Sequence, residues 1–150
     1  MRVSCIQMCS GKENKENIKL SKELIIKAIK EKADLIITPE TSSIFGLNKK
    51  QLLVGTTSMK KDVYLNAIKQ IAREYKKWIL TSILIKERNK IKNRSILVNP
   101  KGSTHIYYDK IHMYDAQLSK NEKYYESKTF TPGKLIKTTN LPWGKLGLTI

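Results

Sequence analysis

Between Asn14 and Thr41 the hydrophobic period of the chain changes within a few residues, and that change restricts the folds open to it. In ENIKLSKELIIKAIKEKA, Ile18, Ser21, Ile25, Ala28 and Ile29 recur at helical spacing with lysines and glutamates on the other face. The spacing predicts an amphipathic helix from about Lys15 to Lys32. The next residues, ADLIITPET, read as a buried strand over Leu35 to Thr38, and an earlier apolar run, Val3 to Met8, supplies a strand before the helix. Strand, helix and strand in that order form a β-α-β unit, whose strands lie parallel with a right-handed crossover. Pro39 has no N–H to give and closes the second strand, so Glu40 is aimed into the loop at its carboxyl end, where open α/β sheets gather their chemistry. A carboxylate there is either a solvated loop residue or a general base, and partners elsewhere in the chain decide between the two.

The rest of the chain extends this α/β pattern. Pro39 to Ser58 has no strong period and holds Gly46 and Gly55, so it reads as a long loop with a short helix near Lys49 to Val54. Tyr64, Ile68, Ile71 and Tyr75 mark a second amphipathic helix from about Lys60 to Lys77. Trp78 to Ile85, WILTSILI, is apolar on both faces, as expected inside a parallel sheet covered by helices. Ser95 to Val98 and Thr104 to Tyr108 then flank Asn99-Pro100-Lys101-Gly102, a type I turn sequence, and so read as a hairpin. Pro132-Gly133 and Pro142-Trp143-Gly144 read as later turns, and Lys145 to Ile150 begins one more apolar strand, within which the sequence ends. No repeat, low-complexity block or linker divides residues 1–150, and a chain of 150 residues buries about 68–70% of its unfolded surface, enough for one domain with a core.

Lysine and arginine number 29 against 13 acidic residues, a net charge of +16, which raises nucleic acid or an anionic membrane as a partner. The excess is lysine: Arg2, Arg73, Arg88 and Arg94 are the only arginines, and the charge is spread over every element rather than gathered in a stripe. Cys5 and Cys9 have neither a second cysteine pair nor clustered histidines to complete a zinc site. With Cys5 on one face of the first strand and Cys9 beyond its end, both are expected to be reduced thiols. The short amino-terminal apolar run is broken by Gln7, which argues against a signal peptide, and no stretch reaches the ~18 apolar residues of a membrane span. The expectation is a soluble, cytoplasmic protein.

Two more segments carry chemistry. In YYDKIHMYD, Tyr107 to Asp115, Lys110 follows Asp109 in a setting where an ammonium is held against carboxylates and aimed at developing negative charge. His112 in the same run reads as a hydrogen-bonded structural histidine rather than a base. In YYESKTF, Tyr124 to Phe130, Glu126 precedes the Pro132-Gly133 pair. Taken in order, RVSCIQM, ADLIITPET, NRSILVNPKG, YYDKIHMYD, YYESKTFTPG and LPWGKLGLTI closely resemble the nitrilase superfamily of carbon-nitrogen hydrolases, in particular its Nit-type amidase branch. Six matched blocks along nearly the whole chain are far more specific than any one of them.

The resemblance implies the amino-terminal half of a nitrilase-type α-β-β-α sandwich, with a mixed, mostly buried sheet and two amphipathic helices. It also implies a small-molecule amidase that works through a Glu-Lys-Cys triad and a thioester. Glu40 matches the general base, Lys110 the cation that stabilises the tetrahedral oxyanion, and Glu126 the second glutamate, which orients Lys110 and the substrate. A thiol nucleophile needs both a base and a nearby positive charge to ionise at neutral pH. The matching cysteine is expected just past Ile150, and neither Cys5 nor Cys9 falls in a matching motif, so no nucleophile is expected within this chain. Roughly the second half of the family's domain lies outside it, including much of the usual dimer surface, and the 150 residues alone are expected to be inactive. The resemblance calls for no metal or organic cofactor. It points to small amides such as ω-amides of keto-dicarboxylates or deaminated glutathione, to a homo-oligomer when complete, and to Pro39–Ser58 and Tyr114–Tyr125 as specificity segments. Thr81 stands where this branch usually has glycine. A catalytically dead, truncated paralogue acting as an interaction protein is the alternative; a basic nucleic-acid-binding module would require steeply salt-dependent binding.

Overall fold

The computed structural model describes residues 1–150. The β-α-β opening comprises β1 (Val3–Cys5), α1 (Asn14–Lys30) and β2 (Leu35–Ile37), with β1 and β2 parallel and Val3 opposite Leu35. β1 is shorter than the expected Val3 to Met8 because its partner runs out. Ile6 N still donates to Ile37 O at 2.7 Å, but Thr38 N turns to Leu80 O and Pro39 has no N–H. The long loop contains α2 (Lys49–Gly55), closed at its start by a capping box between Asn48 and Gln51. α3 (Val63–Tyr75) starts later than Lys60 because Asp62 takes the N-cap, its carboxylate accepting from Leu65 N at 2.7 Å.

β3 (Trp78–Glu87) is the centre of a five-stranded sheet in the order β1-β2-β3-β4-β5, where β4 is Lys90–Val98 and β5 is Thr104–Asp109. Its setting corrects the expectation of parallel neighbours: β3 pairs parallel with β2 but antiparallel with β4 over its whole length, from Ile79 opposite Val98 to Glu87 opposite Lys90. The β3–β4 turn at Arg88-Asn89 contains no glycine or proline to announce it, although Arg88 takes φ 56°, so the expected start of β4 at Ser95 falls five residues late. The β4–β5 turn forms as its sequence predicts, Gly102 N donating to Asn99 O at 2.9 Å, with the Asn99 side chain accepting from Lys101 N and Ser103 N. Two small antiparallel pairs follow, β6 (Asp115–Gln117) with β7 (Lys123–Tyr125) and β8 (Lys137–Leu141) with β9 (Gly144–Leu148).

Pro132-Gly133 is not a turn. The chain passes extended across the end of β5, with Gly133 N donating to Lys110 O at 2.8 Å, and a Cβ on Gly133 would lie 2.3 Å from the Asp109 carbonyl oxygen. Glycine is required there for close backbone approach rather than for a bend.

Alternation along β3 sorts the core into two faces. Ile79, Ile83 and Ile85 point toward α1 and α3 and pack with Ile25, Tyr64 and Ile68, while Leu84 points the other way, into a smaller cluster with Ile44, Leu52 and Ile91. Each such side chain contributes roughly 1.5–3 kcal/mol by leaving water. The two helices are also joined through a buried Ser21 Oγ to Tyr64 Oη contact of 2.8 Å. The β8–β9 pair lies against β5, with Leu148 buried and His105 Nε2 2.8 Å from Thr139 Oγ1. No helix is long and apolar enough to cross a membrane. Cys5 and Cys9 are exposed free thiols.

Candidate active site

Glu40 is held by a loop that hydroxyl groups tie to β3. Thr38 Oγ1 lies 2.7 Å from Thr81 Oγ1, Ser42 Oγ donates to Thr38 Oγ1 at 2.9 Å, and Thr41 N donates to Ser82 Oγ at 3.2 Å. Thr81, the departure from the family pattern, therefore has a buried partner. Thr41 takes a left-handed φ of 53°, which turns the chain sharply just after Glu40. Such a conformation in a non-glycine residue persists only where its surroundings enforce it.

The partners of Glu40 arrive from distant parts of the sequence. Lys110, just past β5, donates from Nζ to Glu40 Oε1 at 3.0 Å and to Glu126 Oε2 at 2.8 Å. Glu126 opens a 3₁₀ turn, Glu126–Lys128, and its Oε2 also accepts from Tyr114 N at 2.8 Å. The structure thus brings together all three residues singled out in the sequence. His112 corrects its expected role: it is solvent-exposed and takes no part in these hydrogen bonds.

Asn93 was not singled out, and it completes the arrangement. From the middle of β4 its Nδ2 donates to Glu40 Oε1 at 2.6 Å, its Oδ1 accepts from Ser82 Oγ at 3.2 Å, and its backbone carbonyl accepts from Lys110 N at 2.9 Å. It stands at the head of the NRSILVNPKG block, between Lys92 and Arg94, and its signal was an amide within a strand, where burial demands partners. Asn93 and Lys110 both bond Oε1 of Glu40, so Oε2 keeps no protein partner.

Burial of Lys110 disfavours its charge, but its hydrogen bonds to Glu126 and Glu40 more than offset that cost and hold its pKa above the ordinary lysine value of 10.5. The site therefore keeps a fixed ammonium at neutral pH. No group of three or more His, Cys, Asp or Glu is placed to hold a metal ion.

A second ionic cluster sits behind Lys110. Arg94, 3% exposed, bonds Asp109 through Nε at 2.5 Å and Nη2 at 3.0 Å, reaches Glu87 at 2.8 Å, and lies 3.9 Å from the ring centre of Tyr107. Lys92 adds a 2.8 Å bond to Asp109. Burial raises the Asp109 pKa, but the hydrogen bonds from Arg94 and Lys92 outweigh it and hold the carboxyl below the ordinary value of 3.8. A depressed aspartate contributes stability that is present above its unfolded pKa and is lost as pH falls through the folded one.

We expect Arg94→Met to destabilise the chain by about 3 kcal/mol, the lower end for breaking a buried pair, because Lys92 still reaches Asp109. In urea titrations the gap from wild type should narrow below pH 3.8 as Asp109 protonates. A loss under about 1 kcal/mol, typical of an exposed pair, with no narrowing in acid, would show that the cluster contributes nothing.

The carbon-nitrogen hydrolase family model matches residues 2–150, so the chain belongs to that family. It is 28% identical to the deaminated glutathione amidase of Yersinia enterocolitica over 153 residues, covering 99% of this chain and 53% of that protein. The crystal structure of the NitFhit protein of Caenorhabditis elegans superposes with a TM-score of 0.85 at 24% identity, over 98% of this chain and 37% of that one. A variant of the amidase of Nesterenkonia sp. AN1, with acrylamide added at its active-site cysteine, superposes with a TM-score of 0.82 at 19% identity, over 99% of this chain and 56% of that one. The fold is that of the nitrilase superfamily. The chain spans about half the length of the Yersinia enterocolitica relative.

Proposed function

We propose that these residues supply the base, the cation and the orienting carboxylate of a thiol amidase that hydrolyses small amides through a thioester. The observation that carries this reading is the placement of the Lys110 ammonium between Glu40 and Glu126 in a cluster that leaves Glu40 Oε2 free. Membership of the carbon-nitrogen hydrolase family supports it, as do the amidase names of the relatives. Glu40 Oε2 takes the proton of a cysteine thiol carried by a segment following Ile150. The thiolate attacks the amide carbon, and the electron pair of the carbonyl moves to oxygen, where Lys110 stabilises the negative charge. As the tetrahedral intermediate collapses, the C–N bond breaks and Glu40 returns the proton to the departing ammonia. Water, deprotonated by Glu40, then attacks the thioester and frees the acid and the thiol. Glu126 holds Lys110 from its other side throughout.

Acid quench of the complete protein during turnover, followed by intact mass and peptide mapping, tests this. The expected result is one acyl group on a single cysteine outside residues 1–150. Ammonia release with no covalent acyl species, or with the acyl group on Cys5 or Cys9, overturns the mechanism.

A further inference from the structure

Three buried hydroxyls stand where apolar side chains would pack as well. Thr81 is 1% exposed and lies on β3 between Ile79 and Ile83, on the face packed against α1 and α3. Thr38, whose N–H bonds Leu80 O, is 5% exposed, and Ser42 is fully buried. A hydroxyl taken out of water is costly unless it is hydrogen-bonded, and a bonded pair is close to neutral against an apolar pair of the same shape. Stability therefore gives no reason for threonine over valine at 38 and 81.

The three hydroxyls bond one another in a line that ends at the Glu40 bend. Thr81 Oγ1 lies 2.7 Å from Thr38 Oγ1, and Ser42 Oγ donates to Thr38 Oγ1 at 2.9 Å and to the Pro39 carbonyl at 2.5 Å. Thr38 precedes Glu40 and Ser42 follows it, so the chain on both sides of the carboxylate is gathered onto one β3 side chain. The far end of the bend has its own anchor. Ser43 O accepts from Asn17 Nδ2 of α1 at 2.9 Å, and Ser43 Oγ accepts from Leu84 N at 3.3 Å. A bend held at its foot and its far end has little freedom to carry Glu40 away from Asn93 and Lys110.

Polar groups kept in a core where packing does not ask for them are expected at functional sites. Resting on the amidase reading, we infer that Thr81 is a positioning residue. Through Thr38 and Ser42 it sets the place of Glu40 against the reacting thiol and the leaving nitrogen, and it acts on the chemical step rather than on folding or substrate binding.

The test replaces both partners of the 2.7 Å contact by apolar side chains of the same shape, Thr38→Val together with Thr81→Val, in the complete protein. Propionamide and succinamate are the probes. Ser42 keeps the Pro39 carbonyl as its acceptor, so the melting temperature should equal or exceed that of the unaltered protein. Even so, kcat should fall about 10- to 100-fold with KM little changed, since a displacement of about 1 Å at the chemistry costs up to about 100-fold. Ser42→Ala, which cuts the line at its other end, should act in the same direction. Thr81→Ser keeps the hydroxyl and should keep most of the turnover, and the loss from the valine pair should disappear in a Glu40→Gln background. Unchanged kcat in the valine pair, or an equal loss with and without Glu40, overturns this inference and leaves the amidase reading standing. Release of no ammonia from either probe by the unaltered, folded protein overturns both.

Discussion

Expressed alone, residues 1–150 are expected to release no ammonia from small amides above background, a rate about 10⁶-fold below that of the complete protein. The reason is a missing electron pair. In the proposed mechanism Glu40, Lys110 and Glu126 take a proton and stabilise an oxyanion, but without a thiolate to attack the amide carbon there is no oxyanion to stabilise. Removing the nucleophile from a catalytic unit costs about as much as removing the whole unit, because its members act together. Cys5 and Cys9 are the only thiols in the chain, and Cys9 lines a groove of about 240 Å³ that also touches Glu40, so the control is direct. Turnover by the 150 residues that vanished in Cys9→Ser would transfer the nucleophile to Cys9. Turnover that survived Cys5→Ser and Cys9→Ser but vanished in Glu40→Gln would remove the thiol from the mechanism altogether. Intact mass of the native protein addresses the remaining alternative, since a mature product of 17.3 kDa would make these residues remnants in a non-catalytic protein.

How much of this was legible beforehand follows the range of the forces involved. α1 and α3 were readable because a helix writes its buried face into local spacing, and the Asn99–Gly102 turn because its residues are chosen by backbone geometry alone. The β3–β4 hairpin was not: its two-residue turn carries no glycine, and its register is set by nine cross-strand pairs that no local pattern displays. Pro132-Gly133 misled for a related reason, because glycine reports that space is tight without reporting whether a turn or a neighbouring backbone makes it so. At the site, Glu40, Lys110 and Glu126 were found through motif blocks, which record chemistry rather than folding. Asn93 opened the NRSILVNPKG block without being singled out, Thr81 stood only as a departure from the family pattern, and Ser82 lay outside the blocks; what the three do is visible only once β3 and β4 lie side by side.

That arrangement makes Glu40→Gln the most informative substitution in the complete protein, with an expected loss of about 10²–10⁴ in kcat, the usual contribution of a general acid-base group. The change preserves shape. The amide oxygen of glutamine can still accept from Asn93 Nδ2 and Lys110 Nζ, as Glu40 Oε1 does now at 2.6 and 3.0 Å, so its NH₂ falls where Oε2 stood. A proton acceptor becomes a donor, substrate binding is little altered, and KM should change far less than kcat. Asn93→Leu acts on the same carboxylate from behind. It removes a charge-assisted hydrogen bond worth about 1.5–3 kcal/mol, and so should lower kcat by roughly 10- to 100-fold. If Asn93 works through Glu40, the two losses are not additive, and Asn93→Leu in the Glu40→Gln background costs little more. Full additivity would assign Asn93 to the packing of β4 instead. A Glu40→Gln protein that kept more than a tenth of its turnover would show that the proton leaves the thiol by some other route.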